Sequence, residues 1–268
     1  MTDAGIDKAA VILADLRVRA EGSGVLTDLP EPCRPDDLEE AYAIQQRLRK
    51  VLGERGFGDQ AGWKIGCTTP VMQEYLSIPH PCAGTLYGTT VFGDHATLAA
   101  SDFFNLGLEC EIAVRLGDDL PRQAAPFTAD TVAAAVEAAM ASIEIVEHRF
   151  ADFREASVAS MIADDFFSWG CVIGQPVPFG EIADLAALTG GFSVNGAEPE
   201  QTGTGSAILG HPLTALAWLA DHAADVGTPL QRGQIVTLGS VVKTIYPESG
   251  QVISARFDGL PPATVTIT

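Results

Sequence analysis

The chain has 268 residues, 47% of them hydrophobic, which is enough to bury a full core and reads as one compact unit. Thirty-five acidic residues against 16 Lys and Arg give a formal charge of −19 with no basic cluster. That balance excludes a nucleic-acid partner, because phosphate recognition needs grouped cations. It also sets a condition: an anionic substrate is repelled by such a surface unless a metal or a buried lysine reverses the field locally.

The predicted elements begin with helices. Residues 5–19 form one, and residues 36–52 a second, on which Ala41, Ile44, Leu48 and Val51 recur three and four apart. The Pro-, Gly- and Asp-rich stretch 22–35 joins them and is short for an interdomain linker. The apolar run 9–14 is too short to span a membrane. Five cysteines, Cys33, Cys67, Cys82, Cys110 and Cys171, form no CxxC pair, so a reduced, cytoplasmic protein is expected.

From residue 62 the pattern turns to short extended runs at 62–67, 108–116, 142–146, 166–173, 192–194, 235–238, 252–257 and 263–267. Helices interrupt them at 130–141 and 212–226, the latter opened by Pro212 and followed by Gly227. Asn195-Gly196 signals a hairpin turn with positive φ at both positions. Strands that cluster toward the C-terminus without regular helical alternation predict an α+β fold with a mixed sheet. The glycines of 203–210 do not have dinucleotide-loop spacing.

Three places carry potential chemistry. In the run 108–116 a period of two puts Cys110, Ile112, Val114 and Leu116 on one face, and Glu109 and Glu111 together on the other. Two carboxylates so placed need a cation or proton between them if partly buried; a solvated edge face carrying ordinary charges is the competing reading. Glu144 lies in the apolar, β-branched run Ile143-Glu144-Ile145-Val146, either facing a site or on an outward strand position. Three glutamates suit Mg2+ or Mn2+. Lys64, in Gly62-Trp63-Lys64-Ile65-Gly66, sits among glycines that permit close approach; an outward strand lysine is the alternative. No Gly-x-Ser-x-Gly elbow accompanies the five histidines, and His211-Pro212 reads as a helix start.

Taken in order, Gly62-Trp-Lys-Ile-Gly-Cys-Thr, Gly84-Thr-Leu-Tyr87, Glu109-Cys-Glu111-Ile-Ala, Ile143-Glu-Ile-Val-Glu-His-Arg149, Leu209-Gly-His-Pro212 and Gly233-Gln-Ile-Val-Thr-Leu-Gly-Ser240 resemble the 2-keto-4-pentenoate hydratase and 4-oxalocrotonate decarboxylase group of the fumarylacetoacetate hydrolase superfamily. The resemblance runs over roughly residues 36–268. It implies a mixed β-roll or barrel, with a helical N-terminal part of about residues 1–60 and a β-rich catalytic part of about 61–268 in a single domain. It also implies Glu109, Glu111 and Glu144 as ligands of Mg2+ or Mn2+, Lys64 and Asp164 as catalytic groups, and Leu76, Ser168, Thr237, Gly239 and Ser240 as substrate-binding positions.

The implied reaction is addition of water to a 2-hydroxy-2,4-dienoate, with decarboxylation of a 2-oxo diacid, acylpyruvate C–C hydrolysis and a non-catalytic homologous subunit as alternatives. The partner is then a small 2-oxo acid, and a homo-oligomer is expected. Two departures from the group stand out. Cys82 occupies a segment where relatives carry an acidic residue, and Asp165-Phe166-Phe167 follows Asp164 where relatives tend toward Asn-Ala-Ser. The two phenylalanines predict a more apolar pocket and a larger or less polar substrate tail.

Overall fold

The computed structural model describes all 268 residues. Helix α1 (Asp3–Arg17) opens the chain, capped by Thr2, whose hydroxyl accepts from the Gly5 amide at 3.2 Å. Helix α2 (Leu38–Leu52) starts at the Asp37 carboxylate and buries the stripe Ala41, Ile44, Leu48 and Leu52. Gln45, on the same stripe, donates to the carbonyls of Ala83 and Ile162 at 2.8 and 2.9 Å, which ties the N-terminal helices to the strands that follow.

Next come β1 (Gln60–Gly66), α3 (Pro70–Leu76), β2 (Cys82–Tyr87), β3 (Val91–Phe92), β4 (His95–Leu98) and the long β5 (Leu106–Leu116). The short α4 (Ala129–Ala133) precedes β6 (Val136–Glu147), and α5 (Val158–Ala163) precedes β7 (Ser168–Ile173). The chain ends with β8 (Val177–Pro178), β9 (Thr189–Val194), β10 (Thr202–Thr204), α6 (Pro212–Asp225), β11 (Ile235–Ser240), β12 (Val252–Phe257) and β13 (Leu260–Ile267).

Two mixed sheets result. The larger has the order β2-β1-β11-β5-β6-β7-β3, with β8 alongside β6, and it curls into a half-barrel; the smaller runs β10-β9-β12-β13-β4. Strand pairs β1·β11, β3·β7 and β4·β13 are parallel and the others antiparallel. One face of the large sheet carries Cys110, Ile112, Val114 and Leu116 of β5 with Ala139, Ala141, Ile143 and Ile145 of β6, and joins the main core, where β6 packs against β12 and β13. The opposite, concave face holds a small apolar cluster of Leu86, Ala113, Met140, Cys171 and Ile235. The same face holds the three glutamates.

The α+β class, the mixed sheet and the helical N-terminal part agree with the sequence reading, and α6 matches its expected range within a residue. The helix expected over 130–141 does not form beyond Ala133. From Val136 the alanine-rich run is a strand, because β6 lies between β5 and β7 with both faces buried, and small residues let the second sheet approach. Tertiary packing here overrides alanine's helical preference.

The extended run expected from residue 166 starts at Ser168; before it, Phe166 and Phe167 are left-handed. Asn195 and Gly196 do take positive φ, +51° and +81°, and Ala197 N–H closes the turn on the Val194 carbonyl at 3.0 Å. The returning strand β10 begins only at Thr202, so no tight two-residue hairpin forms.

Candidate metal centre and active site

Register brings the glutamates together. Glu109 of β5 is directly opposite Glu144 of β6, and Glu111 opposite Ser142. Directly opposed residues point to one face, as do residues two apart on a strand. One carboxylate oxygen from each glutamate lies within 4.8 Å of the others. Glu111 and Glu144 are fully buried, whereas Glu109 is half-buried at the open edge of the face.

Lys64 reaches the same group from β1, with β11 and β5 between it and β6. Side chains standing on a flat sheet would not meet across three strand spacings, about 14 Å. Lys64 Nζ nevertheless lies 3.1 Å from Glu144 Oε1, so the curl of the sheet builds the site.

Two glycines make room for that lysine. A Cβ at Gly84 would stand 3.0 Å from Lys64 Cγ and 2.4 Å from the Asp165 carbonyl; one at Gly66 would stand 3.2 Å from Lys64 Nζ and 2.5 Å from the Phe166 ring. The glycines of both motifs are thus spacers for the site.

Three carboxylates face one ammonium. Burial raises the Glu144 pKa to about 7, with Lys64 opposing and Glu109 assisting. Burial, then Glu144 and Glu109, push Glu111 far above the carboxylate range. For Lys64, burial acts to lower the pKa, but Glu144, Glu109 and Glu111 together outweigh it and hold it above its ordinary value.

The donor set fits a hard divalent cation. Glu111 Oε1 and both Glu144 oxygens are buried without a hydrogen-bond donor, Lys64 approaching Glu144 as an ion pair without hydrogen-bond alignment. Leaving such oxygens uncompensated is costly, and with all three glutamates ionised beside one ammonium the group carries a net charge of −2, which Mg2+ or Mn2+ would balance. Two of the remaining oxygens are anchored: Gly239 N–H donates to Glu111 Oε2 at 2.9 Å and Thr244 Oγ1 to Glu109 Oε1 at 2.6 Å. Such outer partners aim a ligand carboxylate. Gly239 does so at φ +120°, where a Cβ would fall 2.1 Å from Thr68 Oγ1, so only glycine fits.

The other expected positions divide. Thr237 stands on the concave face opposite Lys64 and Ala113, its hydroxyl buried and without a partner. Ser168 is buried at the start of β7, also with an unpartnered hydroxyl. Ser240 Oγ instead donates to the carbonyls of Val242 and Cys110 at 2.8 and 3.2 Å, and Leu76 packs into the main core.

Asp164 lies outside the glutamate group. Its Oδ2 is 2.6 Å from Arg149 Nε and its Oδ1 3.4 Å from Arg17 Nη2, so a free catalytic carboxylate is not what this position offers. His211 caps α6 through Nδ1, 3.0 Å from the Leu213 amide, as a helix start requires.

Several neighbours had a weaker signal or none. Ser142 precedes Glu144 by two and shares its face, which periodicity alone could have shown. Thr244, Tyr246 and Phe153 come from loops whose return to the site no local pattern announces. His148, whose pKa burial lowers, lies 3.2 Å from the Tyr246 hydroxyl.

Comparison with known proteins follows the same line. Residues 74–268 match the family model described as fumarylacetoacetate (FAA) hydrolase C-terminal. The chain is 34% identical over 263 residues to the 2-keto-4-pentenoate hydratase of Burkholderia vietnamiensis strain G4, covering 97% of each. It is 32% identical over 236 residues to the 2-hydroxyhexa-2,4-dienoate hydratase of Comamonas testosteroni, covering 86% of each. The fold superimposes on 4-oxalocrotonate decarboxylase from Pseudomonas putida G7, complexed with magnesium and adipate, with a TM-score of 0.90 at 23% identity, covering 100% of this chain and 99% of that one. The chain therefore belongs to the fumarylacetoacetate hydrolase superfamily and, within it, to the family of the 2-keto-4-pentenoate hydratases.

Proposed function

We propose that the protein is a metal-dependent hydro-lyase that adds water to a 2-hydroxy-2,4-dienoate to give a 4-hydroxy-2-oxo acid. The observation that carries this reading is the trio of inward glutamates with unpartnered buried oxygens beside a buried lysine. The near full-length similarity to hydratases supports the choice of reaction.

Mg2+ or Mn2+ held by Glu109, Glu111 and Glu144 would supply the positive charge that polarises a 2-oxo group and its neighbouring carboxylate. Gly239 and Thr244 keep two of the ligand carboxylates aimed. Lys64 Nζ is a second fixed cation for the anionic end of the substrate, which answers the repulsion set up by a charge of −19. The net chemistry moves the enol proton to C5, leaving an α,β-unsaturated ketone. Water then adds its hydroxyl at C4 and its proton at C3. Thr237 and Ser168, each with a free buried hydroxyl, are assigned to substrate binding, and Gly239 and Ser240 to shaping the strand end. Asp164 is assigned a positioning role through Arg149.

Decarboxylation of a 2-oxo diacid is the second reading, favoured by the fold match to the decarboxylase and by its need for the same charge arrangement. A non-catalytic subunit is disfavoured by the intact set of glutamates and lysine. With this reading goes a single working unit of all 268 residues, a small-molecule partner, a homo-oligomer and a cytoplasmic setting; no helix is long and apolar enough to cross a membrane.

The test is ultraviolet consumption of 2-hydroxypenta-2,4-dienoate with and without Mn2+, with product identification. A 4-hydroxy-2-oxo product formed only with metal is expected. Release of CO2 from a 2-oxo diacid, with no hydration of the dienoate, would give the function to the second reading.

A further inference from the structure

Beyond the glutamates the concave face ends in strained backbone. Asp165, Phe166 and Phe167 have φ of +54°, +47° and +68° in succession, a conformation that bulky L-residues avoid. Neighbours hold it in place. Thr85 N–H and the Tyr87 hydroxyl donate to the two Asp165 oxygens at 2.9 and 3.1 Å, and Arg17 Nη2 lies 2.8 Å from Oδ2. Arg149 Nη2 donates to the carbonyls of Asp164 and Ser168, on both sides of the turn, at 3.2 and 3.0 Å.

What this turn fixes is the direction of two aromatic rings. Phe166 lies against Gly66 with its centroid 4.9 Å from Lys64 Nζ. Phe167 follows at 5.2 Å and meets His148 at 5.0 Å and Phe153 at 5.9 Å. Phe153 leads to Tyr75 at 6.2 Å, and His148 to Tyr246 at 5.8 Å. Exposure rises along the series: Phe166 is buried, Phe167, Phe153 and His148 are half-buried, and Tyr75 and Tyr246 are 54% and 55% exposed.

The outer end also touches the site. Tyr246 Cε1 stands 3.5 Å from where a Gly107 Cβ would be, and Gly107 precedes Glu109 by two on the same strand face. A continuous aromatic wall therefore runs from buried Lys64 to solvent beside the open edge of the glutamate group. Of the cations that border it, Lys64 lies at the buried inner end, where the proposed function places the acid end of the substrate, and Arg154, beside Tyr75 at the outer end, is paired with Asp152 at 2.5 and 2.8 Å.

We propose that this wall is a tail subsite, taking an uncharged alkyl or aryl group at the end of the substrate remote from its 2-oxo acid and disfavouring a second carboxylate there. The inference rests on the hydratase reading. An apolar tail laid on rigid rings loses water-exposed surface and gains aromatic contact. A carboxylate in the same place is dehydrated without meeting a free cation.

The test compares kcat/KM, with Mn2+ present, for 2-hydroxy-2,4-dienoates that differ only at the far end: hydrogen, phenyl or carboxylate. Wild-type enzyme should favour the phenyl over the carboxylate substrate by about tenfold or more. Phe153→Ala should lower the phenyl-to-hydrogen ratio about tenfold, mainly through KM, and Phe153→Leu should recover most of it. Tyr75→Arg, at an exposed position where folding is not at stake, should raise turnover of the carboxylate substrate about tenfold. A wild-type preference for carboxylate, or ratios unmoved in all three variants, overturns the subsite and leaves the hydratase reading standing. Failure to hydrate any of the three substrates overturns the hydratase reading, and the subsite falls with it.

Discussion

Two buried acidic groups lie on either side of Phe166, and they are built on opposite plans. Around Arg149 the carboxylates of Glu147, Asp164 and Asp165 meet Arg149 and Arg17 at 2.6 to 3.4 Å, with Arg19 3.5 Å from Glu147 at the edge. Backbone donors add to it, as where Phe104 N–H reaches Glu147 Oε1 at 3.0 Å. Glu109, Glu111 and Glu144, gathered on the concave face with Glu109 at its open edge, share one lysine and leave oxygens without donors. A matched set of buried charges holds structure; an unmatched set is a place for a cation. The network holds the left-handed turn that aims Phe166 and Phe167, so the matched region supports the unmatched one.

Removing a charge should therefore have opposite effects in the two regions. Glu111→Gln should lower metal-dependent turnover by about a thousandfold. In metal-free protein the same change should raise the melting temperature, since it removes a repelling buried carboxylate. A fall in melting temperature would place Glu111 with the matched charges. Arg149→Ala, in contrast, strands Glu147 and Asp164 and should cost about 3–5 kcal/mol in urea unfolding. A cost under about 1 kcal/mol, the range of exposed ion pairs, would remove the network from the scaffold.

A third substitution probes the boundary between the regions. Gly84→Ala puts a methyl between Lys64 and the Asp165 carbonyl and should destabilise by about 1–3 kcal/mol while lowering kcat. Unchanged kcat would show that Lys64 has room to move.

What the sequence could show follows the range of the signals. A period of two placed Glu109 and Glu111 on one face, and β-strand register did the rest for Glu144. Lys64 between Gly62 and Gly66 was visible as a motif, though the reason for Gly66 lies in Phe166, one hundred residues on. The α+β class and α6 were legible because proline, glycine and periodicity are local. The Arg17 to Asp164 and Asp165 pairs were not, since 147 residues separate Arg17 from Asp164 and only the fold joins them. Alanines at 138, 139 and 141 point to a helix locally yet serve sheet packing, and strand Cys82–Tyr87 is hard to read locally because Ala83 and Gly84 in it are weak strand formers. The phenylalanine pair was noticed as a change of pocket, but its left-handed backbone was not.

The smallest expected effect is on pH dependence. Glu144 titrates near 7 when folded, against an ordinary value of 4.5, so between those values the folded state binds more protons than the unfolded. Stability that Glu144 allows at pH 5 is thus lost as pH rises toward 7. Metal-free wild type should lose melting temperature over that range relative to Glu144→Gln, and Mn2+ should abolish the difference in slope. Parallel profiles without metal would contradict the burial of an unmatched carboxylate.

The claim that the glutamates form a cation site is tested most directly by calorimetric titration of Mn2+ into wild-type and Glu111→Gln protein at pH 7.5. One Mn2+ per chain in the wild type, weakened about a hundredfold or more by Glu111→Gln, is predicted. No binding to the wild type, or equal affinity in the variant, would contradict it.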